Sequence, residues 1–245
     1  MKLAEVYARL WKEYSGQNSH VAHIYDLFQQ AGEQDILHDH IAYRTFNHPK
    51  VDINKMGQIF ESLGYEAKQE YYFEKKKLSA RHYEHKQDPQ LPKIFVSELL
   101  VEKFSPYLQD TIGQWMGNVP DAVAGDVSFL WANNPWNTIH YETYMKLREE
   151  SEYAAWMYVY GFRVNHHAIH VNHLKKYDDI RKVNDFVKKH GYTMNQAGGE
   201  IKGSKDIYLE QSSIMAETTD GEFADGVHRI PSCYYELTQR YPMPD

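Results

Sequence analysis

The chain has 245 residues, 42% hydrophobic and 25% charged, so it is long enough to bury a substantial core. Its net charge of −7 argues against nucleic acid as a partner, because binding to a phosphate backbone needs a basic surface. The longest apolar run, Ala154 to Phe162, is far shorter than the ~20 residues that cross a bilayer. The single cysteine, Cys233, cannot form an intrachain disulfide. We therefore expect a cytoplasmic protein with no membrane partner.

The first 34 residues predict two packed helices. Leu3, Val6 and Leu10 recur at helical spacing, and the same spacing resumes at Val21 after a polar break. These helices precede the first strand.

Two later segments share the order strand, helix, strand. In the first, alternation over residues 35–46 predicts a strand, an amphipathic helix follows from Ile53 and ends before Gly64, and residues 65–86 alternate again. In the second, residues 162–172 predict a strand, and a helix begins near Asp178.

The spacing of these two segments indicates an internal duplication. His40 and Tyr65 are 25 positions apart, and His166 and Tyr192 are 26 apart. Such units are common in α+β proteins, but a histidine at an equivalent place in each first strand favours duplication. We expect one compact unit, 1–245, made of N-terminal helices (1–34), a first module (35–100), an insertion or bridge (101–160) and a second module (161–245).

The first candidate motif is H-D-H-I-A-Y-R-T-F, residues 38–46. On a strand, His40 and Arg44 share one face with Cα atoms about 13 Å apart. A metal on His40 and an anion on Arg44 would bracket a small dianionic molecule. In the alternative, Arg44 pairs with a carboxylate and His40 makes an ordinary hydrogen bond.

The second motif is N-H-H-A-I-H, residues 165–170, followed by His173. As a strand it places His166 and His170 on one face. As a helix it would give them the i,i+4 spacing of helical zinc ligands, but no glutamate lies between them. The β-branched content favours the strand, which would supply one ligand.

The third motif, I-P-S-C-Y-Y-E-L-T-Q-R-Y-P, predicts a final strand over residues 230–242, with Glu236 on the same face as Ser232, Tyr234 and Thr238. In the alternative, Glu236 is solvated, as a lone strand glutamate usually is. Two histidines and one carboxylate would form a facial triad that leaves positions on iron(II) open, and zinc in a three-ligand site is the competing occupant. Cys233 would face away and pack. No glycine pattern for nucleotide binding occurs, so we expect no nucleotide cofactor.

Together with L-E-Q-S-S-I-M-A-E, these motifs resemble the short bacterial branch of the family formerly known as DUF1338, typed by 2-oxoadipate dioxygenase/decarboxylase, an iron(II) enzyme. The resemblance covers roughly residues 35–75 and 160–242. It implies an α+β fold of the vicinal-oxygen-chelate, or glyoxalase-like, superfamily. In that fold, paired βαβββ modules form a curved mixed or antiparallel sheet around a metal site.

The resemblance also implies the site residues. Arg44 matches a clamp for a substrate carboxylate, a task that suits the planar guanidinium fork. The type enzyme is much longer, so the metal chemistry transfers better than the substrate identity. The implied metal ligands are His40, His166 and Glu236, and the implied pocket residues are Gln211, Ser213 and His170.

The leading hypothesis is an Fe(2+)-dependent dioxygenase/decarboxylase that acts on a small, 2-oxoadipate-like 2-oxo acid with dioxygen. One alternative is a glyoxalase-type isomerase or hydrolase using Zn(2+), Ni(2+) or Mn(2+). Another is a non-catalytic module that binds a small ligand and has structural histidines. Because both modules lie in one chain, a monomer can hold a complete site, and we expect a monomer or homodimer.

Overall fold

The computed structural model describes residues 2–119, 126–136 and 138–243. Its α-helices are Leu3–Gln17 (α1), Ser19–Gln30 (α2), Ile53–Ser62 (α3), Pro106–Asn118 (α4), Tyr141–Glu150 (α5), Glu152–Tyr160 (α6) and Ile180–Lys189 (α7). Its strands are His38–Phe46 (β1), Tyr65–Phe73 (β2), Leu78–His85 (β3), Lys93–Leu99 (β4), Val164–His170 (β5), Lys202–Ser204 (β6), Leu209–Ser213 (β7), Thr218–Phe223 (β8), Gly226–Pro231 (β9) and Glu236–Arg240 (β10).

Eight of these strands follow the order β2-β3-β4-β1-β5-β10-β7-β6, while β8 and β9 pair separately. Strand β10 runs parallel to β5, with Glu236 opposite Ala168. It runs antiparallel to β7, with Glu236 opposite Ser213. The sheet therefore combines parallel and antiparallel pairs, and β10 is paired on both sides.

The chain divides into two compact units, each formed from several segments. The first comprises Met1–Leu10, Ala42–Asn165 and Thr219–Ile230. The second comprises Trp11–Ile41, His166–Thr218 and Pro231–Asp245. The three implied metal ligands all belong to the second unit. Arg44 belongs to the first.

In the first unit, α3 packs its apolar side onto strands β1 to β4. Asp52 caps the helix, since its carboxylate accepts from the Lys55 amide at 2.9 Å. The buried Glu98 carboxylate of β4 accepts from the amide of Ile53, the first residue of α3, at 2.9 Å. The Phe60 ring lies within 6.3 Å of three other rings, those of Tyr43, Tyr65 and Tyr83.

In the second unit, α7 begins in the same way. Asp179 accepts from the Arg181 amide at 2.8 Å, and the Gln239 side chain of β10 accepts from the Ile180 amide at 2.9 Å. Val183 and Val187 on the same helix are buried. The helix is thus held at its N-terminus by its own cap and by β10.

The junction of α1 and α2 binds the backbone just before β10. Tyr14 donates its hydroxyl to the Tyr234 carbonyl at 2.5 Å. Asn18 accepts from the Cys233 amide at 3.0 Å, and His20 Nε2 contacts the Cys233 carbonyl at 2.9 Å. Three side chains within seven residues thereby hold this segment.

These contacts correct the prediction of one continuous final strand over 230–242. The chain leaves β9 at Pro231 and enters β10 only at Glu236. The Ser232 amide donates to the Glu217 carbonyl at 2.8 Å, and the Cys233 amide donates to Asn18, so neither joins a ladder of the main sheet. Cys233 is buried, in line with a packing role.

The two N-terminal helices and the strand–helix–strand order of both modules are confirmed. Strand β5 settles the two interpretations of residues 165–173, because His166 and His170 lie on a strand and His173 lies in the 3-10 turn that follows. The helical alternative was wrong.

The predicted insertion, residues 101–160, contains α4, α5 and α6, although residues 120–125 and 137 lie outside the described residues. The predicted module boundaries stay a prediction. Among the described residues, no helix is both long and apolar enough to span a membrane.

Candidate metal centre

Three neighbouring strands, β1, β5 and β10, bring His40, His166 and Glu236 together. His40 Nε2 lies 3.2 Å from Glu236 Oε1, and His166 Nε2 lies 3.6 Å from Glu236 Oε2. One ligand atom from each residue lies within 4.8 Å of the others. We call these residues the triad.

The triad spacing suits a shared metal ion. Two atoms that each lie about 2.1 Å from one ion cannot be more than about 4.2 Å apart. The distances of 3.2 and 3.6 Å fall inside that limit, and a separation of at most 4.8 Å needs a shift of well under about 1 Å. The donor set of two imidazoles and one carboxylate leaves positions open on an octahedral metal.

Burial and hydrogen bonding have opposite effects on the pKa values of His40 and Glu236. Burial lowers the pKa of His40, but hydrogen bonds to Asp39 and Glu236 outweigh it and raise the pKa to about 9. For Glu236, burial raises the pKa of the carboxyl and the hydrogen bond with His40 lowers it, with a net decrease. Both net shifts arise from the pairing of His40 with neighbouring carboxylates.

His40 has an oriented carboxylate on its other ring nitrogen. His40 Nδ1 lies 2.9 Å from Asp39 Oδ1, and the Asp39 side chain is 1% exposed. Arg240 donates to both oxygens of Asp39, through Nε at 2.5 Å and a terminal nitrogen at 2.9 Å. These bonds hold the pKa of Asp39 well below its usual range, although burial alone would raise it.

The strand alternation assumed for β1 fails at its start. Asp39 contacts Arg240 and His40 contacts Glu236, and these two partners lie on the same face of β10. His38 instead contacts residues that strand alternation places on the opposite face. His38 Nε2 lies 2.7 Å from the Tyr235 hydroxyl, and its ring lies 4.6 Å from the ring of His167. Burial lowers the pKa of His38 to about 3, so this histidine is neutral.

The predicted pocket residues lie near the triad to different degrees. Gln211 donates an amide hydrogen to Glu236. Ser213 is the register partner of Glu236 and shares its face of the sheet. His170 Nε2 lies 3.8 Å from Asp39 Oδ2, so it adjoins the carboxylate behind His40.

Arg44 lies in the first unit, where two aromatic rings support it. Its guanidinium carbon lies 4.7 Å from the ring centre of Tyr153 and 5.1 Å from that of Trp156. Stacking of this kind orients the planar fork while its edge remains available for hydrogen bonds. The role of Arg44 as a carboxylate clamp stays a prediction.

Sequence reasoning missed Asp39 and Arg240, and it placed Tyr234 on the face of Glu236 without giving it a role. The Tyr234 ring lies 4.5 Å from the ring of His166. Asp39 was inside the first motif, and a carboxylate beside a candidate metal-binding histidine was the signal that could have identified it. Nothing local marks Arg240, because its partner lies 201 residues away in the chain.

The family model for 2-oxoadipate dioxygenase/decarboxylase matches residues 4–121 and 121–243. The chain is 33% identical over 98% of its length to the chloroplastic/amyloplastic 2-oxoadipate dioxygenase/decarboxylase of Oryza sativa subsp. japonica, and it covers 69% of that relative. The chloroplast location of this relative leaves the expected cytoplasmic location a prediction.

Solved structures give the same picture. A Shewanella frigidimarina NCIMB 400 protein, provisionally named a hydrolase, is 42% identical with a TM-score of 0.91, covering 98% of this chain and 93% of that one. Hydroxyglutarate synthase from Oryza sativa, in complex with 2-oxoadipate, is 32% identical with a TM-score of 0.89, covering 98% of this chain and 81% of that one.

A glyoxalase superfamily protein from Ralstonia eutropha JMP134 is 21% identical, with a TM-score of 0.82 over 96% of this chain and 81% of that one. At this identity the likeness concerns the fold alone, and it confirms the predicted α+β, glyoxalase-like class. The family resemblance of the four motifs is also confirmed. The chain belongs to the 2-oxoadipate dioxygenase/decarboxylase family of oxidoreductases.

Proposed function

We propose that this protein is a non-haem iron(II) dioxygenase/decarboxylase that acts on a small 2-oxo acid. The observation that carries the proposal is the triad, in which two imidazoles and one carboxylate converge from adjacent strands. Such a set holds iron(II) on one side and leaves the other side open. His40, His166 and Glu236 would be the ligands.

The substrate class follows from relatives. The rice structure contains 2-oxoadipate, and the family is named for activity on that compound. We extend this to a 2-oxo dicarboxylate as substrate of this protein. Its distal carboxylate would need a cationic partner, a role that the family resemblance implies for Arg44.

The chain's own contribution is to orient and to exclude water. His40 and His166 expose 9% and 8% of their surface, so their ring nitrogens present a fixed, largely dry set of donors. Gln211 binds Glu236 and restricts its rotation. Iron(II) would be held by His40, His166 and Glu236 and would supply the redox chemistry that the 2-oxo acid and dioxygen require.

Oxygen uptake tests this function. Protein loaded with iron(II) under anaerobic conditions is mixed with dioxygen and a panel of 2-oxo acids, while carbon dioxide is measured in parallel. We expect uptake and decarboxylation that depend on the 2-oxo acid, fastest for dicarboxylates. His166→Ala should abolish both, whereas His190→Ala, at the end of α7, should not. Iron-loaded protein without 2-oxo-acid-dependent uptake contradicts the proposal.

The second candidate is a zinc, nickel or manganese enzyme of the glyoxalase kind. The same three donors would also suit a catalytic zinc ion, and the Shewanella relative carries a hydrolase name. Metal analysis of protein purified without added metal separates the two. Tightly bound zinc with turnover in the absence of oxygen would favour this candidate.

A further inference from the structure

The carboxylate behind His40 is part of a chain of contacts that extends from β1 through β10 to the turn after β5. Asn172, in that turn, accepts from the Arg240 amide at 2.8 Å and donates to the Arg240 carbonyl at 2.9 Å. Arg240 then grips both oxygens of Asp39. Asp39 in turn contacts His40 Nδ1 at 2.9 Å.

This geometry determines which ring nitrogen of His40 faces the other two triad residues, His166 and Glu236. A carboxylate on Nδ1 holds the hydrogen there and leaves the lone pair of Nε2 for a metal. Asp39 can do this only if its own orientation is fixed. Its side chain is 1% exposed, Arg240 occupies both of its oxygens, and His170 lies 3.8 Å from Oδ2.

We propose that Asp39, Arg240 and Asn172 are positioning residues that orient the imidazole of His40 for metal binding. The inference rests on the proposed function, because it requires His40 to be a ligand. Asp39 acts directly on the ring, Arg240 fixes Asp39, and Asn172 fixes the backbone of Arg240. The effect should therefore decline along this order.

The second unit offers a matched control. Arg181 binds Glu210 through two hydrogen bonds of 3.1 and 2.9 Å, so it repeats the arginine–carboxylate fork of Arg240 and Asp39. Glu210 also accepts from the Tyr241 hydroxyl at 2.6 Å, and neither partner is a triad residue. Arg181→Gln removes the same kind of pair without touching His40.

The test is the dissociation constant for cobalt(II), measured by competition with a chelator, together with the visible spectrum of bound cobalt. Asp39→Asn and Arg240→Gln should raise the constant about 10–100-fold, the usual effect of losing an outer partner of a ligand, and should shift the cobalt bands. Asn172→Ala should raise it less. Arg181→Gln should stay within about twofold of the parent protein.

Arg240→Lys keeps the charge but not the fork, so an intermediate affinity would support positioning by geometry. If Asp39→Asn fails to fold, Arg240→Gln carries the test, because the Arg240 side chain is 38% exposed and its replacement opens less of the buried interior. His40→Ala separates the two proposals. Weakened cobalt binding in His40→Ala, with unchanged constants and spectra in Asp39→Asn and Arg240→Gln, overturns the positioning role alone. Unchanged binding in His40→Ala overturns the metal site itself.

Discussion

The two modules share a backbone plan and differ in chemistry. The first runs β1-α3-β2-β3-β4, and the second runs β5-α7-β6-β7 and then β10. In each, an aspartate caps the helix, and a residue of the last strand accepts from the first helical amide. Strands β3 and β7 both begin with a leucine. The residue just before each of them, Lys77 or Tyr208, has a positive φ of 52° or 60° although it is not glycine.

Strand register shows where the modules diverge. Leu78 lies opposite Leu99 in the first module, and Leu209 lies opposite Arg240 in the second. Four residues further along, His82 faces Phe95, whereas Ser213 faces Glu236. The candidate metal-binding carboxylate of the second module, Glu236, thus corresponds to an aromatic residue, Phe95, in the first. The same strand position therefore holds an aromatic residue in one module and a candidate metal ligand in the other.

Exchanging those two residues should have the largest effect. Glu236→Phe removes the carboxylate donor, so we expect cobalt(II) affinity to fall more than about 100-fold, beyond the loss caused by an outer partner. Phe95→Glu should leave affinity within about twofold, because the new carboxylate faces the single imidazole of His82. Chelator competition measures both. Retained affinity in Glu236→Phe, or in Glu236→Gln if that variant does not fold, would remove the distinction between the modules.

The helix cores should differ next. Phe60 on α3 is 1% exposed among three rings, and Phe186 on α7 is 9% exposed. Phe60→Ala should cost about 3–5 kcal/mol of unfolding free energy, and Phe186→Ala should lie at or below the lower end of that range. Denaturant unfolding gives both values. An equal or reversed cost would show that the first helix is no better buried than the second.

The helix caps should be equivalent. Asp52→Ala and Asp179→Ala each remove one acceptor at a helix N-terminus, so each should cost about 1 kcal/mol. In a chain of this size that corresponds to a drop of about 2–4 °C in Tm. Asp→Asn at either position keeps an acceptor and should recover most of the loss. Clearly unequal losses would mean that the shared plan does not extend to the energetics.

The smallest effect on stability should come from exchanging the two side chains that accept from the first amide of each helix, by Glu98→Gln and Gln239→Glu. Burial raises the pKa of the Glu98 carboxyl, even though the bond from the Ile53 amide lowers it. With a raised pKa in the folded state, ionisation costs stability above that pKa, and the cost vanishes as the pH falls below the ordinary value. Glu98→Gln should therefore raise Tm by about 1–2 °C at pH 7 and by less at pH 4.

Gln239→Glu should show the opposite sign with the same dependence on pH. Thermal scans at the two pH values measure the exchange. A Tm difference for Glu98→Gln that grows as the pH falls would show that ionised Glu98 stabilises the fold.

Local patterns predicted much of this structure. The spacing of Val6 and Leu10, and the glycine that ends α3, were enough for the helices. The motifs placed candidate histidines and a glutamate on strands, and the family resemblance selected His40, His166 and Glu236 among them. The break at residues 232–235 was not predictable, because it depends on Asn18 and Glu217, which compete for the backbone from distant parts of the chain.

The same limit applies to the contacts behind His40. Strict alternation along β1 would place Asp39 and His40 on opposite faces. The start of β1 is irregular, so the Asp39 carboxylate contacts the His40 ring. Its partner Arg240 is 201 positions away, and no spacing rule connects them. Interactions between residues so far apart become visible only when the packing is known.

The hydrogen bonds from the α1–α2 junction to Cys233 and Tyr234 bear on the order in which the site forms during synthesis on the ribosome. Tyr14 and Tyr234 are 220 residues apart, and β10 must enter between β5 and β7 before Glu236 can reach the histidines. Contacts this distant in sequence form late and slow folding. A nascent chain would hold both histidines long before it held the carboxylate, so the site completes only once the two distant segments meet.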